Sequence, residues 1–187
     1  MYELLSGLGL ALPAGLNAYI PLLGVALADR YTGLVQLAEP YDIVSSPGVI
    51  ALLVVLLVFE MVADKVPLID HLNDVVQTAV RPASGAIVMM ATTDSTQSIN
   101  PVLAMSAGLL LAGGVHFLKA SFRTLVTAAT GGIGNPIVSS AEDGVAISMT
   151  IVAIIAPILI AGVLIALGVG ALWVLRRRRR RLLVTDV

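Results

Sequence analysis

Apolar residues in this chain run in long blocks rather than alternating with polar ones. Leu4 to Ala28 is one such block, about 25 residues, which as helix at ~1.5 Å per residue crosses ~30 Å of hydrocarbon and predicts a first membrane span. Pro13, Gly15, Asn17 and Pro21 interrupt it. In a membrane such breaks persist only where protein or a water-lined cavity satisfies the freed carbonyls, so the middle of this block is expected to face the interior. Residues 29–46 have loop composition, with Asp29, Arg30, Glu39, Pro40 and Asp42. Pro47 to Ala63 predicts a short second span that ends in charge.

The pattern changes after Asp64. Val66, Ile69, Leu72, Val76 and Val80 recur with helical spacing. Asp70, Asp74, Gln77 and Arg81, at spacings of four, three and four, align as a polar stripe on the other face. With a kink at Pro82, residues 66–92 read as one partly polar third crossing, followed by a loop at Thr93 to Pro101. Val102 to about Thr127 is a fourth span with a basic stripe of its own, His116, Lys119 and Arg123. Thr130 to Ser140 is too rich in glycine and proline for a regular helix. Gly144 to Leu175 carries no charge and amounts to about 48 Å of helix at ~1.5 Å per residue, so it is either strongly tilted or divided at Pro157. The total is five or six spans.

Gly9 to Asn17 lines up with Gly108 to His116, a faint repeat that divides the chain into halves at 4–92 and 102–175. With three spans per half the halves would be inverted, as in many small transporters; a chance match of Gly/Leu/Ala-rich helices is the alternative.

Composition agrees with the membrane reading. The chain has 187 residues, 58% hydrophobic and 12% charged, against about 25% charged in soluble domains. So many aliphatic side chains cannot be hidden behind so few polar ones. Disorder and a collagen-like fibre are excluded, and with no cysteine so is a disulfide scaffold. The fold class expected is an all-helical polytopic membrane protein, a single transmembrane domain over 1–175 followed by a basic tail, 176–187.

The 11 basic and 12 acidic residues nearly balance, but Arg176, Arg177, Arg178, Arg179, Arg180 and Arg181 form an unbroken run directly after Leu172-Trp173-Val174-Leu175. The run reads as a stop-transfer flank that places the C-terminus in the cytoplasm, with Trp173 as an interfacial anchor. An anionic-lipid or nucleic-acid contact is the alternative; no nucleic-acid partner is expected. Met1-Tyr2-Glu3 lacks the positive region of a cleaved signal peptide.

Ionisable residues at membrane depth carry the functional information, because each costs about 2.5–3.5 kcal/mol on insertion scales and such groups face an interior and pair. The candidates are Glu60, Asp64, Lys65, Asp70, Asp74, Arg81, His116, Lys119, Arg123, Glu142 and Asp143, with Asn17 and Asn135 as polar neighbours. The two stripes are expected to face each other, Asp70 and Asp74 neutralising Lys119 and Arg123 around a polar cavity closed by the glycine-rich turn. A structural ion-pair clamp, or a 64–82 helix lying in the interface, would use the same residues. Gly131-Gly132-Ile133-Gly134-Asn135-Pro136 lacks the lysine and hydroxyl of a phosphate loop and reads better as an unwound segment lining that cavity. Two histidines without cysteine make no structural zinc site, and neither metal nor cofactor is expected. No nucleophile elbow is present. His116 reads as a hydrogen-bonded structural residue or a proton shuttle.

Several motifs together resemble a known family: Gly15-Leu16-Asn17-Ala18-Tyr19-Ile20-Pro21, Glu60-Met61-Val62-Ala63-Asp64-Lys65-Val66-Pro67, Val80-Arg81-Pro82, Gly114-Val115-His116-Phe117-Leu118-Lys119-Ala120, and Gly132-Ile133-Gly134-Asn135-Pro136 through Glu142-Asp143. The chain is similar, over nearly its whole length, to an uncharacterised bacterial integral-membrane family catalogued as a domain of unknown function. It departs at Asn17, where that pattern has a basic residue. The resemblance implies a small multi-span protein of the bacterial cytoplasmic membrane and no established activity.

The function expected is transport of a small or lipid-linked polar solute, anionic or proton-coupled, with Lys119 and Arg123 attracting its negative group. Asp64, Asp70, Asp74 and Glu142 would be counter-charges or proton acceptors, and His116 and Asn135 would contribute hydrogen bonds. The rivals are a non-catalytic accessory subunit docked on a larger membrane complex through close-packing Gly/Ala-rich helices, and a membrane-embedded acid/base enzyme acting on lipid. The bilayer is the expected partner, and a small body makes a homodimer reasonable.

Overall fold

The computed structural model describes residues 2–37, 39–65, 67–93, 99–160, 162, 165, 166, 168–170 and 173, without the side chains of 67, 68, 70, 71 and 72. The described residues form helices and turns, with no strand among them. The basic run Arg176 to Arg181 lies outside the described residues.

Residues 4–28 do not form one rod. Helix α1 (Tyr2–Ala14) ends one residue after Pro13, and α2 (Tyr19–Tyr31) starts beyond a four-residue gap. Asn17 Oδ1 accepts from the N–H groups of Tyr19 and Ile20, at 3.1 and 3.2 Å, which satisfies the first donors of α2 and lets a helix begin there. Gly9 of α1 rests against Ala153, while Gly24 of α2 rests against Thr150, one turn away on the same later helix. Tyr2 and Glu3, at the start of α1, share a cavity with Gly33–Gln36, just after α2. The two helices are therefore antiparallel, and residues 15–18 are the tip of a hairpin. Each helix has 13 residues, about 20 Å long at ~1.5 Å per residue. The single crossing expected over Leu4 to Ala28 is thus replaced by two half-length helices that enter and leave at one end.

After a 3-10 turn at Tyr41–Ser45 come α3 (Pro47–Ala63), α4 (Pro67–Thr93), α5 (Pro101–Thr130) and α6 (Asn135–Ile155). Starts are marked by polar caps with proline in the first turn. Ser46 Oγ accepts from Val49 N at 3.4 Å before α3, and Asn100 Oδ1 from Val102 N at 2.9 Å before α5. Pro82 stays inside α4 without ending it. The irregular region expected over Thr130 to Ser140 shrinks to a turn at 131–134, because Gly131 takes the left-handed conformation (φ 63°) that ends α5. Pro136 then sits at the start of α6, where its missing N–H is not needed. Glu142 and Asp143 are consequently inside a helix.

The apolar stretch after Gly144 is divided at Ala156-Pro157, where α6 ends. Ile160 lies beside Gly9 together with Ala153, so the chain folds back after the break. Of the two repeat segments, Gly9 to Asn17 runs into the hairpin tip, whereas Gly108 to His116 lies within unbroken α5.

Antiparallel α4 and α5 form the most extensive pairing, made possible by glycine at the crossing. A Cβ on Gly108 would collide with the Gly85 carbonyl, and one on Gly85 with Ala112 and the Gly108 carbonyl. An apolar core of Leu10, Val25, Val88, Ala153 and Ile160 fills the half of the bundle around the hairpin shafts. Outside, the pattern is inverted relative to a water-soluble domain: Val55, Phe59, Leu110, Phe117, Leu118, Leu125, Ile137 and Ile151 are all exposed, while Arg81, Lys119 and Arg123 are buried. Helices α5 and α6 are long and apolar enough to cross a membrane, and α3 is a shorter apolar helix.

Candidate ion-pair site at the hairpin tip

The charged residues gather in the other half of the bundle. The end of α3 supplies Glu60 and Asp64, α4 supplies Asp74 and Arg81, α5 supplies His116, Lys119 and Arg123, and α6 supplies Glu142 and Asp143. The Arg81 side chain has no exposed surface. Its Nη2 donates to Glu60 Oε1 at 3.0 Å and lies 3.8 Å from Asp64, while Nη1 lies 3.7 Å from Asp74 and 2.9 Å from His116 Nδ1. Lys119 Nζ is 3.3 Å from Asp64 and 3.2 Å from Glu142. Arg123 Nη2 is 3.1 Å from Asp64 and 3.0 Å from Glu142. Three cations thus face Glu60, Asp64, Glu142 and the half-buried Asp74. A buried charge is tolerated only when paired and hydrogen-bonded in this way.

The tip of the hairpin is bound into this network. Lys119 Nζ donates to the Leu16 carbonyl at 2.7 Å, and Ser84 Oγ to the Ala18 carbonyl at 2.6 Å. Asn17 Nδ2 donates to Asp143 Oδ1 at 3.1 Å, and Lys65 stands 3.8 Å from the other Asp143 oxygen. The carbonyls released where the helix breaks are therefore satisfied by buried side chains, the condition for irregular backbone away from water. Asn17, an uncharged residue, holds the tip from both sides.

His116 has both ring nitrogens engaged. A guanidinium only donates, so Nδ1 accepts from Arg81 and the ring proton sits on Nε2. Nε2 donates to Thr78 Oγ1 at 3.1 Å, and Thr78 Oγ1 donates to the Asp74 carbonyl at 2.8 Å. This neutral tautomer forms the inner wall of a recess of about 340 Å³ between α4 and α5, walled also by Pro82, Gly113 and Phe117.

Of the residues singled out from sequence, Asn17, Glu60, Asp64, Lys65, Asp74, Arg81, His116, Lys119, Arg123, Glu142 and Asp143 come together here. Asn135 does not join them; its Nδ2 donates to Thr127 Oγ1 at 3.0 Å near the α5–α6 turn. The Asp70 side chain lies outside the described residues. The expected pairing of Asp74 with Lys119 and Arg123 is replaced by Asp64 and Glu142, because on the buried polar line of α4 the predicted Gln77 and Arg81 are joined by Asn73 rather than Asp74, which stands beside Arg81 instead. That line is Asn73, Gln77, Arg81 and Ser84. Asn73, which donates to Asp64 Oδ1 at 2.8 Å, and Ser84 were not anticipated, although their spacing of four, four and three was present for uncharged polar residues. The glycine turn 131–134 caps α5 with Ile133 84% exposed, and the unwound backbone that meets the charges is 15–18. Among the described residues no group of acids and histidines could hold a metal ion.

No curated protein and no solved structure matches the chain. The family model described as Domain of unknown function (DUF4126) matches residues 4–177, and the chain belongs to that family.

Proposed function

We propose that this chain is an integral protein of the bacterial cytoplasmic membrane that carries a small anionic solute, free or as a lipid headgroup, past a charge-lined re-entrant hairpin. In this reading α3, α4, α5 and α6 cross the bilayer beside the hairpin α1–α2, and the apolar sequence after Pro157 supplies a fifth crossing. The exposed aliphatic belt and the two long apolar helices support placement in a bilayer, and the Arg176 to Arg181 run orients the C-terminus and the ion-pair end to the cytoplasm.

The observation that carries the reading is the position of Glu142. Its side chain is 12% exposed, more open than Asp64, Lys119 or Arg123, and it is held by two cations at 3.0 and 3.2 Å. An incoming carboxylate or phosphate can take its place on Lys119 and Arg123 with the charge count unchanged. Release of Glu142 at that moment also frees a proton acceptor, which suits proton coupling. His116, with both nitrogens committed, is a poor general acid or base, and this disfavours the enzyme reading.

The second reading, an accessory subunit whose charges are a static clamp, is favoured by the completeness of the pairing. Native mass spectrometry of the chain extracted in lipid nanodiscs separates the two. The carrier reading expects a recurrent anionic mass, more abundant in Glu142→Gln and moved by the wild-type protein across proteoliposomes. A stoichiometric second protein, with no bound anion in either form, would overturn it in favour of the accessory subunit.

A further inference from the structure

A second cavity lies far from the ion-pair network, at the open end of the hairpin. It measures about 460 Å³ and is lined by Tyr2, Glu3, Ser6, the turn Gly33–Gln36, Thr92 and Ile155 among others. Its side chains carry one sign of charge: among the described lining residues none is basic. Helices α2, α4 and α6 end at this wall, at Tyr31, Thr93 and Ile155, while α1 alone begins there; three helix C-termini, each worth about half a negative charge, thus outweigh one N-terminus. Into this setting Glu3 brings a carboxylate, and its Oε2 is shielded from solvent and has no hydrogen-bond partner among the described residues. A shielded carboxylate oxygen without a donor is a costly arrangement that a cation relieves. Thr92 donates its hydroxyl to the Val88 carbonyl at 2.7 Å, so what its oxygen offers the cavity is acceptor capacity. Tyr2 adds an aromatic ring, a surface that attracts cations.

We propose that this cavity is a binding site for a small organic ammonium compound, its N–H groups directed to Glu3 and its hydrocarbon part against Tyr2 and Ile155. The volume decides against a bare metal ion, which would occupy a small fraction of 460 Å³ and needs several oxygen ligands at about 2.0–2.6 Å. Carboxylate, hydroxyl, carbonyl ends and an aromatic wall are together the chemistry that recognises an ammonium head carrying a short apolar chain. The site stands apart from the anion exchange at Glu142 and is tested without transport.

The test is calorimetric titration of the full-length chain in nanodiscs with butylammonium, and with butanol and butyrate as matched neutral and anionic probes. Butylammonium is expected to bind, and butanol and butyrate are not. Glu3→Gln should weaken butylammonium by about ten- to hundredfold, the loss of one charge-assisted hydrogen bond. Gln36 is an exposed wall residue whose replacement leaves the helices intact; Gln36→Lys should weaken binding and Gln36→Glu strengthen it. Equal binding of butanol, no binding of butylammonium to the wild type, or an affinity indifferent to both Gln36 charge variants would overturn the proposal.

Discussion

Replacing Lys119 by methionine keeps an unbranched side chain, one atom shorter, and removes its charge and three donors. The wild-type Nζ, on a side chain only 1% exposed, lies 2.7 Å from the Leu16 carbonyl, 3.2 Å from Glu142 and 3.3 Å from Asp64. Removing one member of a buried ion set costs about 3–5 kcal/mol, because the charges left behind stay desolvated. Part of that cost is the Leu16 carbonyl, which loses its donor at the hairpin tip, an effect of about 1–3 kcal/mol by itself. Against a total stability of about 5–15 kcal/mol this is a large loss. The double variant Lys119→Met/Glu142→Gln removes a cation and an anion together and leaves Arg123 on Asp64 at 3.1 Å and Arg81 on Glu60 at 3.0 Å. Its cost should fall to about 1–3 kcal/mol, mainly the unpaired carbonyl, with a coupling energy above about 1 kcal/mol between the two sites. Denaturant unfolding in detergent, followed by circular dichroism for all four members of the cycle, measures both quantities. A single variant costing under about 1 kcal/mol, or a double variant as unstable as the sum of its parts, would refute the claim that these charges hold the tip.

Asn17→Ala removes the acceptor for two N–H groups and the bond to Asp143, and should cost about 2 kcal/mol, with amide exchange rising first at Tyr19 and Ile20. Gly85→Val drives a side chain into Ala112 and the Gly108 backbone, so a loss of about 1–3 kcal/mol or more is expected in the same unfolding assay, from overpacking that the crossing cannot relieve. Lys65→Ala tests the other extreme: a side chain 39% exposed and 3.8 Å from Asp143 should change stability by less than about 1 kcal/mol.

The helices α3, α4 and α5 were legible because their apolar runs and proline or polar starts are local signals. The basic stripe of α5 was legible too, since three charges at helical spacing in an apolar segment leave only one face to hide them. Reversal of the chain at 15–18 was not, because an apolar run with two prolines and an asparagine is compatible with a kinked rod and with a hairpin alike. The contacts that distinguish them, Leu16 with Lys119 and Asn17 with Asp143, join residues more than a hundred positions apart. Partner choice within the network failed for a similar reason. Asp74 and Asn73 differ by one position, or about 100° around a helix; Gln77 and Arg81 of the predicted stripe are buried, but preferring the charged Asp74 to its neutral neighbour missed Asn73, which holds Asp64.

The central claim is that α1 and α2 enter and leave at the same side and carry a buried tip between them. The chain contains no cysteine, so single cysteines at Tyr2, Leu34 and Ile133, all exposed positions, can be labelled from either side of intact vesicles with a membrane-impermeant maleimide. The account predicts that Tyr2→Cys and Leu34→Cys react from one side and Ile133→Cys from the other. Reaction of Tyr2→Cys and Leu34→Cys from opposite sides would make residues 4–28 a single crossing and contradict it.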